Sequence, residues 1–290
     1  LNGQASAIAH GAATIVNAIA LGKGAAFGVN LWTKADVKLT NEPLVIKGEI
    51  ASDSSESIRL IEAAVRCVFK HFKVEKQFGA VVKTTSNIPI ARGLKSSSVA
   101  ANAVVLATAA AVNKELDDLT AINLAVNAAF DAKVTVTGAF DDACASYFGG
   151  VVITDNLQRK IVKHDKFTEG FSVLFYVPPK KAYTANSDVM RLKTVAPLVR
   201  IAYEEASKGN FWVALSLNGI VYSAALGFDS SVALDALNAG AVAAGLCGKG
   251  PAVTAVVTED KIDQVKAVLQ KHNGDVLQAR LNEEKARVVS

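Results

Sequence analysis

Residues 99–112 make up the most apolar run of the chain, rich in Ala and interrupted by Asn102. The run is shorter than the roughly 18 uncharged apolar residues that suit a bilayer span, so it reads as a helix buried in a protein core. Immediately before it stand Lys95, Ser96, Ser97 and Ser98, and before those a proline-containing loop with Gly93. A helix packed inward at this point would fix the loop that precedes it. Half of the 290 residues are apolar (51%) and a fifth are charged (20%), the balance of a folded chain. That length allows one large or two modest domains.

Several classes of protein are disfavoured. The 31 Lys and Arg against 27 Asp and Glu leave a net charge of +4 that is spread along the chain, so no nucleic-acid partner is expected. Cys67, Cys144 and Cys247 are widely spaced, with no Cys-x-x-Cys pair and no His in ligand register, which indicates neither a disulfide framework nor a zinc site. The four histidines, His10, His71, His164 and His272, stand in no motif that marks a triad base, and no Gly-x-Ser-x-Gly elbow is present. With no signal-peptide pattern and no apolar span, the expectation is a soluble cytoplasmic protein without a membrane partner; the oligomeric state is unknown.

Periodicity outlines two parts. Strands are expected at 29–39 and 44–50, joined by the turn residues Asn41, Glu42 and Pro43 and paired antiparallel. A helix is expected over 55–72, where Ile58, Ile61, Ala64, Val65, Val68 and Phe69 share a face, then a strand at 78–84. Helices at 97–112 and 116–132 follow, then a glycine-bounded block at 138–150 and a strand at 151–154. The turn at 155–158 is the candidate boundary between domains 1–156 and 157–290. Beyond it, strands at 171–177 and 252–258 and helices at 195–206 and 262–271 suggest helices layered on a sheet, an α+β arrangement.

The loop at 89–98 has the makings of a phosphate cradle. Phosphates are held economically by backbone N–H groups at a helix N-terminus. Gly93 would admit a phosphate close to the backbone, and Ser96 to Ser98 would supply hydroxyls and free amides. Plain helix capping by serine accounts for the serines equally well. No Gly-Lys-Ser/Thr ending occurs, so a Walker-type loop is excluded. The spacing of Gly22, Gly24 and Gly28 is one residue too long for a dinucleotide fingerprint.

The pattern Pro89-x-x-x-Gly93-Leu94-x-Ser96-Ser97 resembles the second motif of the GHMP kinases, and Gly-Leu-Lys-Ser-Ser-Ser is most similar to the archaeal type of shikimate kinase in that superfamily. Three more segments resemble that type in the same order: Gly11 to Gly28, Thr137 to Gly150 with Asp141-Asp142 and Gly149-Gly150, and Gly245-Leu246-Cys247-Gly248-Lys249-Gly250-Pro251-Ala252 at the place of the third, glycine-rich motif. The third segment departs from the pattern, since Cys247 and Lys249 stand where the family more often has a hydroxyl residue. By themselves its glycines also suit a turn between strands.

The resemblance implies a two-domain GHMP kinase fold, with a ribosomal protein S5 domain 2-like N-terminal domain and a ferredoxin-like C-terminal domain. It implies ATP-dependent phosphorylation of shikimate to shikimate 3-phosphate, on the way to chorismate and the aromatic amino acids. The alternatives are homoserine kinase or another small-molecule kinase of the superfamily, and a non-catalytic nucleotide-binding sensor. Pro89, Ala91, Arg92, Gly93, Leu94, Lys95, Ser96, Ser97 and Ser98 are then the expected ATP contacts. Asp142 matches the catalytic aspartate, with Asp141 as its substitute if the register slips by one. Both acids equally suit a helix N-terminus as plain dipole partners. Mg2+, which prefers oxygen ligands, is expected at Ser97 and at Asp131, where relatives carry a glutamate; a merely solvated Asp131 is the alternative. Asn17, Lys23 and Lys95 suit the carboxylate and hydroxyls of shikimate, and Gly248 and Gly250 are the expected substrate contacts of the third motif.

Overall fold

The computed structural model describes residues 3–168, 170–179 and 189–290. The N-terminal residues form strand β1 (Gln4–Val16), which runs antiparallel to the long β2 (Lys23–Thr40). β1 is buried on both faces and rich in Ala, so it lacks the alternation that marks a strand in sequence. The second half of β2 pairs antiparallel with β4 (Gly79–Ser86) and the first half with β5 (Val151–Asp155).

The expected antiparallel pairing of the second and third strands is not formed. β3 (Ile46–Ile50) lies parallel to β4, and β4 takes the place beside β2. Helix α1 (Arg59–Phe72) accounts for this, because its apolar face of Ile61, Ala64, Val65, Val68 and Phe69 must be buried beside β3 and the helices on that side of the sheet. The chain therefore returns from β3 through a helical crossover, and a crossover delivers a parallel neighbour. Gly79 makes the approach possible, since a Cβ there would overlap the Glu42 and Val45 carbonyls.

Helix α2 (Ser96–Ala111) packs on β1 and β2 and is covered by α1, α3 (Asp118–Asp131) and α4 (Phe140–Phe148). Its small side chains suit a helix surrounded on all sides. Asn102, the one amide in the run, donates from Nδ2 to the Ala143 carbonyl at 2.9 Å and so ties α2 to the start of α4. Residues beyond 156 also enter this sheet: β6 (Lys160–Asp165) pairs with β5, and β11 (Arg287–Val288) pairs with β1.

The second sheet has the order β10-β7-β9-β8, formed by β7 (Ser172–Val177), β8 (Ala243–Leu246), β9 (Val253–Val257) and β10 (Asp275–Arg280), all antiparallel. With α8 (Ser231–Asn238) before β8 and α9 (Ile262–Leu269) before β10, the sequence β-α-β-β-α-β is that of a ferredoxin-like unit. Between β7 and α8 are inserted α5 (Val189–Thr194), α6 (Ala196–Lys208) and α7 (Phe211–Leu226). α7 is wedged between β1 of the first sheet and β8 of the second. It can lie so close because Gly219 faces Gly245, where a Cβ would meet backbone. Among the described residues no helix is long and apolar enough to cross a membrane.

Candidate active site

Helix α2 opens at Ser96, and Lys95 before it takes the left-handed conformation with φ 62°. The expected phosphate loop is pressed against the turn at 247–250. A Cβ on Gly93 would fall 2.7 Å from the Cys247 carbonyl oxygen and 2.9 Å from that of Gly250. The absence of a side chain at Gly93 thus serves loop-to-loop packing as well as any ligand. The Ala252 N–H donates to the Arg92 carbonyl at 3.0 Å, and the turn is closed by the Gly250 N–H donating to the Cys247 carbonyl at 2.9 Å. Gly248, at φ 61°, leaves room for Lys95, whose Nζ would be 2.7 Å from a Cβ there.

Asp141 and Asp142 occupy the first turn of α4, as dipole partners would, and both face the cavity below as well. Their surroundings differ. Asp142 Oδ2 pairs with Lys95 Nζ at 2.9 Å with both side chains largely buried, while Asp142 Oδ1 is buried without a hydrogen-bond partner. Burial works most strongly against the Lys95 ammonium, but the charges around it, Asp142 first among them, together with its hydrogen bond to Asp142 outweigh burial and hold the Lys95 pKa above its ordinary value. Asp141 Oδ1 instead accepts from Asn156 Nδ2 at 2.8 Å, and Asn156 Oδ1 accepts from the Thr154 hydroxyl at 2.6 Å. The other Asp141 oxygen lies against Gly24, where a Cβ would overlap it. Burial first, and then the neighbouring Asp142 charge, pushes the Asp141 carboxyl up to about 7.

These groups line a cavity of about 410 Å³. Its polar wall is made by Ser96, Ser97, Ser98, Asp141, Asp142, Asn17 and Lys249, with Thr33, Thr84 and Ser86 from the sheet. Ile50, Leu60, Ile61, Val134 and Val136 supply an apolar wall. Concave apolar space with a few convergent polar groups is the usual form of a small-molecule site. Lys249 Nζ is buried in it without a partner, and burial, followed by the charge of Lys95, pushes its pKa down to about 7.

Residues 59–150 match the family described as GHMP kinases N terminal domain. The chain is 45% identical over 281 residues to a shikimate kinase of Methanosarcina mazei, covering 96% of this chain and 94% of that one. It is 42% identical over 284 residues to a shikimate kinase of Methanothermobacter thermautotrophicus, with 96% of each chain covered. The chain belongs to the GHMP kinases. The fold agrees: the structure of a Methanococcus jannaschii mevalonate kinase aligns with a TM-score of 0.78 at 16% identity, over 96% of this chain and 98% of that one.

In this GHMP kinase the expected residues fall into two groups. Ala91, Gly93, Lys95, Ser96, Ser97, Ser98, Asp141, Asp142, Asn17 and Gly250 all line the cavity. Pro89, Arg92, Leu94 and Gly248 lie outside its lining; Leu94 is buried, and Arg92 and Gly248 support the loop packing described above. Lys23 and Asp131 also stand apart. Lys23 is exposed, with its ammonium 5.9 Å from the centre of the Tyr203 ring. Asp131, exposed at the end of α3, accepts from the Cys67 thiol at 3.7 Å.

Sequence reasoning missed the kinase residues that stand behind the site. Asn218 Oδ1 accepts from the Asn17 N–H, and the Tyr222 hydroxyl donates to the Asn17 carbonyl, both at 3.1 Å, so α7 fixes the end of β1. Asn156 falls in the turn at 155–158 and Thr154 in the strand before it, where neither stands out as a site residue. Thr33, Thr84 and Ser86 were legible only as hydroxyl residues on strands.

Proposed function

We propose that this chain is a shikimate kinase, transferring the γ-phosphoryl group of ATP to a hydroxyl of shikimate to give shikimate 3-phosphate. The observation that carries the reading is the buried Lys95–Asp142 pair, which faces the same cavity as the N-terminus of α2. A helix start rich in serine suits the phosphates of ATP. Asp142, held by Lys95 through one oxygen, keeps its other oxygen without a partner. That oxygen accepts the proton of the acceptor hydroxyl as the hydroxyl oxygen bonds to the γ-phosphorus and the bond to the leaving ADP breaks. Asp141, engaged by Asn156 and pushed toward its neutral form, supports the helix start and is not the base.

Among the described residues no group of three His, Cys, Asp or Glu side chains gathers to hold a metal ion. This suits Mg2+ that arrives on the nucleotide phosphates and needs few protein ligands. The Ser97 hydroxyl, on the cavity wall at the start of α2, is the residue that fits it. Bound there, the ion would neutralise phosphate charge.

The reading is tested by following ADP release with shikimate, homoserine and mevalonate offered separately. Release is expected with shikimate. Release with homoserine alone would move the chain to a different acceptor, and ATP binding without any acceptor-dependent release would make it a sensor.

A further inference from the structure

Among the described residues, two buried polar atoms on the cavity wall lack a hydrogen-bond partner, and they carry opposite charge: Asp142 Oδ1 and Lys249 Nζ. Lys95 and Lys249 both act on the same carboxylate electrostatically, but only Lys95 bonds to it. Asp142 is bonded by one ammonium, and the second, with no hydrogen-bond partner, is left in a site that withdraws it from water. A buried charge without a counter-charge is costly unless an anion arrives to meet it. The depressed Lys249 pKa is the same cost seen as proton affinity.

Lys249 is also held in place. It stands between Gly248 and Gly250, both at positive φ, in a turn closed by its own backbone hydrogen bond and seated on the phosphate loop through Gly93 and Arg92. At Asp142 the acceptor offers a neutral hydroxyl. The anion that must come to that place for the reaction to occur is the phosphoryl group, which spreads negative charge over three equatorial oxygens as it passes.

We propose that Lys249 is a catalytic residue whose ammonium binds the oxygens of the phosphoryl group in transit between ADP and the hydroxyl facing Asp142. This rests on the kinase reading given above. Asp142 and Lys249 then form the two halves of one device: the first takes the proton from the attacking oxygen, and the second stabilises the group being attacked. A cation preorganised at the site of developing charge acts without reorganisation, which is the form of stabilisation that contributes most.

The test compares Lys249→Met and Lys249→Arg with the unmodified chain, after circular dichroism and ADP affinity confirm that each variant is folded with an intact nucleotide site. Lys249→Met should lower kcat by about 10²-fold or more, with KM for shikimate changed by less than about threefold. Lys249→Arg, which keeps the charge, should recover part of the loss. The methyl ester of shikimate separates the other anion of the reactants: if Lys249 holds the acceptor's carboxylate, Lys249→Met abolishes the preference for acid over ester and raises KM. That result, or an unchanged kcat, overturns the proposal. A binding measurement needs no turnover. Affinity for ADP with aluminium fluoride, a mimic of the phosphoryl group in transit, should fall at least about tenfold in Lys249→Met while affinity for ADP alone holds. Should the unmodified chain fail to phosphorylate shikimate, the proposed acceptor is wrong, and the aluminium fluoride comparison still decides Lys249: equal affinities overturn its role.

Discussion

At the scale of residues, the two adjacent aspartates meet different surroundings, Asp142 the Lys95 ammonium and Asp141 the Asn156 amide. Asp142→Asn removes the proposed proton acceptor, and a general base of this kind contributes about 10²–10⁴-fold. Its kcat should fall by that order with ADP affinity retained, as steady-state kinetics and calorimetry would show; an equal loss in both would mark Asp142 as a structural acid. Asp141 has a different signature. Its carboxyl binds a proton more readily in the folded chain, at about 7, than at its ordinary value of 3.8. The stability tied to this group is thus fully present below about 4 and is lost as the pH rises through about 7. Asp141→Asn, which keeps an oxygen for Asn156, should flatten the decline of the unfolding midpoint between pH 5 and 8 and leave substantial turnover. A midpoint that falls equally in both proteins would contradict the assignment. Lys95→Met strands Asp142 as a buried, unpaired carboxylate, a change that costs about 3–5 kcal/mol where one partner of a buried pair is removed. Denaturant unfolding reads that loss directly.

The legibility of these residues followed their distance along the chain. Ser96 to Ser98 and the Asp141-Asp142 pair sit in contiguous motifs, so their place on one cavity could be read locally. The motif places Lys95 among the ATP contacts and its charge suits the carboxylate and hydroxyls of shikimate, whereas in the structure its ammonium pairs with Asp142. The bonds from Asn156 to Asp141 and from Asn218 and Tyr222 to Asn17 join distant segments, which no local pattern encodes.

At the scale of elements, periodicity found the helices with one apolar face, the unbroken apolar run found α2, and neither signal marked β1 or α7. α1 and α9 were visible because their apolar residues recur on one side. β1 and α7 were not, since a strand covered on both faces does not alternate and a helix wedged between two sheets shows no stripe. The parallel placement of β3 was equally hidden, because it depends on where α1 must lie. α7 offers a direct test of the close packing between sheets. Gly219→Ala places a methyl group into the Gly245 backbone, and overpacking of this sort costs about 1–3 kcal/mol. The thermal midpoint should drop, and KM for the acceptor should rise because α7 carries the groups that fix Asn17. An unchanged midpoint would show that the helix can shift freely at that point.

At the scale of the whole molecule, the cavity draws on segments that are far apart in sequence. The loop at 89–98 and the aspartates belong to the first sheet and its helices, while Lys249 and Gly250 come from the turn between β8 and β9 of the second. The chain then returns to the first sheet: the Asn282 N–H donates to the Gly28 carbonyl at 3.0 Å, the Gly150 N–H donates to the Asn282 carbonyl at 2.8 Å, and β11 pairs with β1. This strap and the wedge of α7 join the two sheets around the site. Deleting residues 282–290 should therefore lower both stability and turnover rather than spare the site, which unfolding curves and kinetics on the shortened chain would reveal. Transfer of a phosphoryl group to shikimate at this joined site, as proposed, is decided by phosphorus NMR and mass measurement of shikimate recovered after incubation with ATP and Mg2+. One phosphate monoester of shikimate is expected for each ADP released. ADP formed while shikimate is recovered unmodified would contradict the proposed transfer.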